Sequence, residues 1–531
     1  MHDLVFPINA LPACGLVPED VEGVIRDPAI KLEAVRRYYQ AVDADVLFYV
    51  SDIVIQAEAM GADVYYAPGA MPAVRAPARS VHVPDPARVE RMVANALVLR
   101  GLARDFPTKL RAGLVYGPFT VAGQVVGEET LLRMLVDRPR EVAGLLGQTL
   151  ECARRYADLL VDNGANLVWV SDPLAALIPP DDFERFAGNH LRRFFQAYPS
   201  LPTILHVCGD TTAVVPAMAS TGVGGLSLDN CMDLLAVEDL VPGNVAIIGN
   251  LDPVEVVELG SVDMVANRTS DLVSLMAVKE NFCLSTGCAL PPSTPLENVQ
   301  AFVDTGRRRL AELAPYRTRL AAISHAVHAS QAEEAGRLVR EAREAGVPPL
   351  EIIGSGLTRA IRKGSAEYDA GKCHLPALLL MVDAFYKGFR LLERELGHAG
   401  SRKVDIILGT VTGDIHEIGK NLVRIFLETH GHGVLDLGVN VSGERFLAAY
   451  KAARPALVGL SVFTTSSKRQ LGGIIHAFRD KGIDVPIMIG GAAVNAEVAR
   501  SVGADGFARD AVKAVELAER LILGRARRNQ E

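Results

Sequence analysis

Two sets of side chains in this sequence have the types and spacing to do chemistry. The first is Leu205-His206-Val207-Cys208-Gly209, joined far along the chain by Cys288 in Ser285-Thr286-Gly287-Cys288. On an extended strand, residues two apart point to the same side, so the imidazole of His206 and the thiol of Cys208 converge. One nitrogen and two sulfurs suit zinc and leave its fourth position open, the arrangement of a catalytic ion and not of a structural one. The spacing alone also fits two small buried thiols beside a hydrogen-bonded histidine.

The second set is Gly413-Asp414-Ile415-His416-Glu417-Ile418-Gly419. Asp414 stands two residues before His416, close enough to bond one ring nitrogen, fix the tautomer and make the other nitrogen a better metal ligand. Gly419 leaves room at a helix start for something flat to lie against the backbone. The plainer reading is an aspartate N-cap beside a solvated histidine.

The elements that must position these groups are legible around them. Val404 to Leu408 is a short, mostly apolar run, and Ile418, Leu422, Ile425 and Phe426 follow at helical spacing, so His416 is placed on a strand-to-helix loop. Open α/β sheets take ligands at that edge. Further strands are expected at Leu457 to Val462, leading into Ser461-Val462-Phe463-Thr464-Thr465-Ser466-Ser467, and at Val485 to Ile489, ending in Gly490-Gly491-Ala492. Residues 1 to about 320 alternate apolar strands with amphipathic helices, the pattern of a parallel β/α domain. Seven strands are placed: Val46 to Val50, Gly113 to Tyr116, Asn166 to Val170, Thr203 to Val207, Gly225 to Leu228, Val245 to Gly249 and Phe282 to Thr286. A (β/α)8 TIM barrel is the natural host, with an eighth strand left unplaced, and its functional residues belong at the C-terminal strand ends. Asp52, Asp172, Asp229 and Asn250 stand there beside His206 and Cys208; for Asp172 and Asp229, orienting substrate and fixing a loop are both open.

From about 321 to 400 the repeat Leu378, Leu379, Val382, Phe385, Tyr386, Phe389 is helical, with breaks at Val347-Pro348-Pro349 and Gly371-Lys372, giving three or four helices. His325, His328 and His374 lack ligand spacing there and read as solvated. The region after 401 is a doubly wound, Rossmann-like domain. Composition narrows the function classes. A net charge of −8 over 531 residues with no basic run disfavours nucleic acid and anionic membranes as partners. There is neither a leader-like start nor a long apolar stretch, so a cytoplasmic protein without membrane attachment is expected. Seven cysteines in so long a chain do not make a disulfide framework; Cys14, Cys152, Cys231, Cys283 and Cys373 are expected to be core thiols.

The order of the Asp414–Gly419 motif, the Ser461–Ser467 stretch and the Gly490-Gly491 pair closely resembles the cobalamin-binding module of methionine synthase and the small corrinoid proteins. That resemblance implies that His416 replaces the cobamide's own base as lower ligand of cobalt, that Asp414 and Ser467 complete a relay behind it, and that Ser461 and Thr465 line the slot for the nucleotide tail. The paired glycines Gly490 and Gly491 would let the tail pass close to the sheet, and the helices before the module would cap the corrin. Where that family often has leucine, this chain has Phe463.

Gly117-Pro118-Phe119-Thr120, His206-Val207-Cys208-Gly209 and Gly287-Cys288 through Pro291-Pro292-Ser293-Thr294-Pro295-Leu296-Glu297-Asn298 resemble the uroporphyrinogen decarboxylase superfamily, and within it the zinc methyltransferases that act on corrinoid proteins. Pro7-Ile8-Asn9-Ala10-Leu11-Pro12 lacks the arginines with which the decarboxylase holds its tetrapyrrole, so decarboxylation is disfavoured. The resemblance implies zinc at His206, Cys208 and Cys288. The fused order of barrel, cap and cobalamin module is similar to that of bacterial chloromethane methyltransferases.

The expectation is therefore a corrinoid-dependent methyltransferase in which a small methylated donor feeds cobalt(I), with fusion raising the effective concentration of one part at the other. The alternatives are the reverse transfer to a thiol such as coenzyme M, and a corrinoid carrier or sensor with an inactive barrel. By the same resemblance, a second methyltransferase passing the methyl to a folate and a reductive activator are the expected partners.

Overall fold

The computed structural model describes residues 3–67, 70–369, 371–393, 404–429, 432–508 and 511–528. The chain divides into two compact units, Met1–Ala321 and Ala322–Glu531. Among the described residues no helix is long and apolar enough to cross a membrane.

The first unit is built on eight parallel strands in the spatial order Val5–Ile8, Phe282–Ala289, Ala246–Leu251, Gly225–Leu228, Thr203–Val207, Leu167–Ser171, Leu110–Tyr116 and Val46–Leu47. The two ends of the row meet: the Asp45 N–H donates to the Val5 carbonyl at 3.0 Å, and the Val5 N–H donates to the Asp45 carboxylate at 2.8 Å. The result is a nearly closed α/β barrel. The strand that the sequence left unplaced is the first in the chain, Val5–Ile8. It contains Pro7, which has no N–H for a ladder, and its pairing with the last strand shifts register between Phe6 and Ile8. At the partner end, only Val46–Leu47 of the expected Val46 to Val50 pairs in the ladder.

Aromatic rings fill the barrel's interior. Trp169, the single tryptophan, packs edge-on against Phe48 at 5.1 Å and Phe6 at 6.2 Å between ring centroids. Such pairs add about 0.5–1.5 kcal/mol each beyond their buried area.

In the second unit, helices Ala332–Glu344 and Leu375–Glu393 pack together, with Glu333 paired to Lys387 at 2.6 Å across them. Helix Arg359–Asp369 continues from a π-type turn at Ile352–Thr358. One expectation fails here: His328 is not simply solvated, since its Nε2 lies 2.8 Å from the Glu367 carboxylate. His325 and His374 are exposed, as expected. The expected boundary near residue 400 lies outside the described residues.

A five-stranded parallel sheet follows, ordered Val434–Asp436, Ile406–Thr410, Leu457–Ser461, Ile487–Gly490, Gly506–Ala508. The two strands missed in sequence, Val434–Asp436 and Gly506–Ala508, are the short outer ones. The chain order reverses between Ile406–Thr410 and Leu457–Ser461, and the crevice at such a reversal is where doubly wound sheets bind ligands. The loops leaving these two strands are the ones that carry His416 and the Ser461–Ser467 stretch.

Gly491 shows how tightly that edge is built. Its φ is +116°, and a Cβ there would stand 2.1 Å from the Val462 carbonyl oxygen. Gly491→Ala is therefore expected to destabilise this unit by about 2 kcal/mol or more, read as a lowered denaturation midpoint.

Candidate functional site

At the barrel mouth the three predicted ligands converge. The distances are 3.0 Å from His206 Nε2 to Cys208 Sγ, 3.6 Å between the two sulfurs, and 3.7 Å from Cys288 Sγ to His206 Nε2. A tetrahedral zinc with bonds of about 2.3 Å to sulfur and about 2.0 Å to nitrogen sets such separations at roughly 3.5–3.8 Å. Two sides of the triangle fit as they stand, and the His206–Cys208 side needs to open by roughly half an ångström. Among the described residues, these three form the one group of metal-binding side chains close enough to share an ion. His206 is buried, whereas both cysteines are half-buried, so the sulfur side faces outward. The two thiols polarise each other: the hydrogen bond they share holds the Cys288 thiol below its ordinary range and pushes Cys208 up.

Ser227 sets the histidine. It lies opposite His206 on the neighbouring strand, with its hydroxyl 3.0 Å and its carbonyl 3.3 Å from His206 Nδ1. An Nδ1–H donated to that pair leaves Nε2 unprotonated toward the sulfurs. Sequence reasoning passed over Ser227. The available signal was one hydroxyl in the otherwise apolar strand Gly225–Leu228. Ser227→Ala is expected to weaken metal binding roughly 10- to 100-fold without unfolding the barrel, measured by competition with a chelator.

The other polar groups at the strand ends fasten loops. Asp229 accepts the Gly209 N–H at 2.9 Å and the Cys231 N–H at 3.1 Å, and Asn250 donates to the Asp229 and Met232 carbonyls at 2.8 Å each. Asp172 accepts the Thr120 N–H at 2.7 Å, while burial pushes its carboxyl up to about 6. Asp52 is ion-paired to Arg91. Of the expected core thiols, Cys14, Cys152 and Cys283 are buried; Cys231 is exposed and Cys373 half-buried, because both fall in loops.

At the C-terminal edge of the second sheet, Asp414 gathers two loops. One carboxylate oxygen accepts the His416 backbone N–H at 3.1 Å and lies 2.8 Å from His416 Nδ1. The other accepts from the Phe463 N–H at 2.7 Å, the Thr464 N–H at 3.0 Å and the Ser467 hydroxyl at 2.9 Å. Burial by itself would raise this carboxyl, but the N–H groups of Thr464, His416 and Phe463 outweigh it and hold it well below the usual carboxylate range. The helix that follows begins only at Ile418, so Asp414 serves as a junction between loops and not as that helix's cap. His416 itself is half-exposed and stacks on Phe463. Ser461 ends the central strand, opposite Thr410 on one side and Gly490 on the other. Thr465 is exposed on the same loop as Ser467. A Cβ on Gly419 would meet nothing of the protein within 4 Å, so its free space is available to a ligand.

Comparison with known proteins agrees with both halves. The uroporphyrinogen decarboxylase (URO-D) model matches residues 19–309, more than half of the chain. The chain belongs to the uroporphyrinogen decarboxylase family. Two B12 binding domain models match this family member further along, over residues 319–393 and 404–516. A dimethylamine corrinoid protein of Methanosarcina acetivorans is 33% identical over 204 residues, which are 38% of this chain and 95% of that protein. A methanol–corrinoid protein of Methanosarcina barkeri is 26% identical over 213 residues, 40% of this chain and 83% of that protein. A methyltransferase from Methanosarcina mazei superposes with a TM-score of 0.52 at 21% identity, covering 58% of this chain and 92% of that one, which bears on fold alone. This URO-D family member thus joins its barrel to a corrinoid-binding part in one chain.

Proposed function

We propose that the chain is a corrinoid-dependent methyltransferase, moving a methyl group from a small methylated donor to the cobalt of the cobamide held by its own C-terminal part, with zinc at His206, Cys208 and Cys288. The donor class is a methyl halide, a methylated thiol or a methoxy compound. One observation carries the reading: a nitrogen and two sulfurs meet within 3.7 Å at the mouth of a URO-D barrel in a chain that also matches B12 binding domains. When bound, zinc supplies Lewis acidity toward the donor's heteroatom and the cobamide supplies a nucleophilic metal.

The protein's own groups do the rest. Ser227 holds His206 by Nδ1, and the paired sulfurs carry the negative charge that retains a cation. Below them the His206 ring lies 6.2 Å from that of Trp169, over the aromatic packing of Phe48 and Phe6. These rings make the surroundings of His206 apolar. In the second unit His416 would be the residue that holds cobalt, and Asp414, bonded to its Nδ1 and to Ser467, would hold or release the proton on that nitrogen and so tune its strength as a ligand. Ser461 and Thr465 would line the slot for the nucleotide tail, Gly490 and Gly491 would let that tail pass close to the sheet, and Gly419 would leave room at the helix start for a flat, bulky group. Residues 1–320 are read as the methyltransferase barrel, 321–400 as the cap and 401–531 as the cobalamin-binding domain, the order of the chloromethane methyltransferases. A folate methyltransferase, a reductive activator and a cytoplasmic setting complete the proposal.

Two sulfur ligands also suit a site that binds a thiol as thiolate, which favours transfer to a thiol as the second reading. Cobalt(I)-reduced protein offered a panel of methyl donors separates them. Loss of the cobalt(I) absorption with one donor class supports the first reading, and methyl appearing on an added thiol from pre-methylated protein supports the second. Cobamide without zinc, and no transfer either way, sinks both.

A further inference from the structure

Phe463 lies face to face with the imidazole that the cofactor reading makes a cobalt ligand. The ring centroids are 4.1 Å apart and the planes are inclined by 22°. The contact is built from the backbone outward, because the Phe463 N–H bonds the same Asp414 carboxylate, at 2.7 Å, that holds His416 Nδ1 at 2.8 Å. His416 is therefore fixed twice: Asp414 sets which nitrogen points inward, and Phe463 sets the plane in which the ring lies. Phe463 is also 45% exposed and its neighbour across the imidazole loop, Ile415, 74% exposed. Phe463 covers one face of the ring, and Ile415 is the immediate neighbour of His416 in the chain. A hydrophobic rim around a half-exposed imidazole at a ligand-binding sheet edge is the surface offered to a broad, flat, largely apolar ligand.

We infer that Phe463 is a positioning residue, a clamp that holds the His416 imidazole in its cobalt-binding orientation before the cobamide arrives, and this rests on the cofactor reading given under Proposed function. A side chain ordered in advance does not lose that freedom on binding. Leucine at this position, which the resemblance to cobalamin modules leads one to expect, would cover the ring but fix no plane.

The test compares the full wild-type chain with F463L and F463Y, using cob(II)alamin as probe. In the cofactor-free protein, the ring protons of His416, identified by their absence in H416Q, are expected to be shifted upfield in wild type and F463Y and to lose that shift in F463L. With cob(II)alamin, F463L is expected to bind roughly three- to tenfold more weakly. A smaller fraction of its cobalt should show nitrogen coupling from the imidazole in the electron paramagnetic resonance spectrum, and F463Y should restore both. A wild type that binds and F463L matching it in affinity and nitrogen coupling overturns the clamp while leaving the cofactor reading intact. A wild type that takes up no cobamide overturns that reading, and the clamp falls with it.

Discussion

Cys208→Ser and Cys288→Ser are each expected to abolish methyl transfer and to strip the purified protein of its zinc. The three donor atoms are mutually within 3.7 Å, so on the proposed reading all three would share a single ion, and a hydroxyl in place of a thiolate offers neither the charge nor the softness zinc takes from sulfur. Metal catalysis lowers the barrier by several kcal/mol, so without it the rate should fall on the order of 10³-fold or more. His206→Ala should match both. The barrel should survive, because Cys208 and Cys288 are half-buried at the mouth and not in the aromatic core. The single tryptophan, with its ring 6.2 Å from that of His206, provides a direct reading: metal added to wild type should alter its fluorescence, and metal added to C208S should not. Variants that keep both zinc and turnover would remove the barrel site from the mechanism.

Asp414→Ala carries the largest expected effect in the second unit. The carboxylate accepts bonds from three backbone N–H groups and the Ser467 hydroxyl while also holding His416 Nδ1. It is 1% exposed. Its removal takes the carboxylate partner from the three backbone N–H groups, while the Ser467 hydroxyl keeps the Thr464 carbonyl, at a cost of about 3 kcal/mol or more. Cobamide affinity should fall roughly 10- to 100-fold as the imidazole loses its partner. The pH dependence has a definite sign. The folded carboxyl titrates below its ordinary value of about 3.9, so the unfolded chain binds more protons in between. The stability due to Asp414 is then fully present above about pH 4 and declines as the pH falls toward the folded value. D414A should be less stable near neutrality and should lack this acid-side slope. A D414A protein with wild-type melting and wild-type cobamide uptake would show that the junction is dispensable.

Much of this was legible because local pattern and global fold agree. The barrel strands read as apolar runs ending in polar residues, and Thr203–Val207 and Gly225–Leu228 fall where the sequence placed them. Val5–Ile8 escaped because a proline hides a short buried strand, and Val434–Asp436 and Gly506–Ala508 escaped because three residues carry too little periodicity. His328 read as solvated because its partner Glu367 lies 39 residues away on another helix.

The sequence by itself determined the reactive atoms: a strand's two-residue period puts His206 beside Cys208, and the two-residue spacing of Asp414 and His416 keeps their bond local. Tertiary structure decided everything that required distant segments to meet. Cys288 comes within 3.6 Å of Cys208 although 80 residues separate them, because the barrel sheet carries their strands to one mouth. Ser227 reaches His206 through strand register, and the 463–467 loop reaches Asp414 because the sheet reverses its order between their strands. Spacing along a chain fixes only near neighbours, whereas the packing of buried apolar faces chooses the far ones.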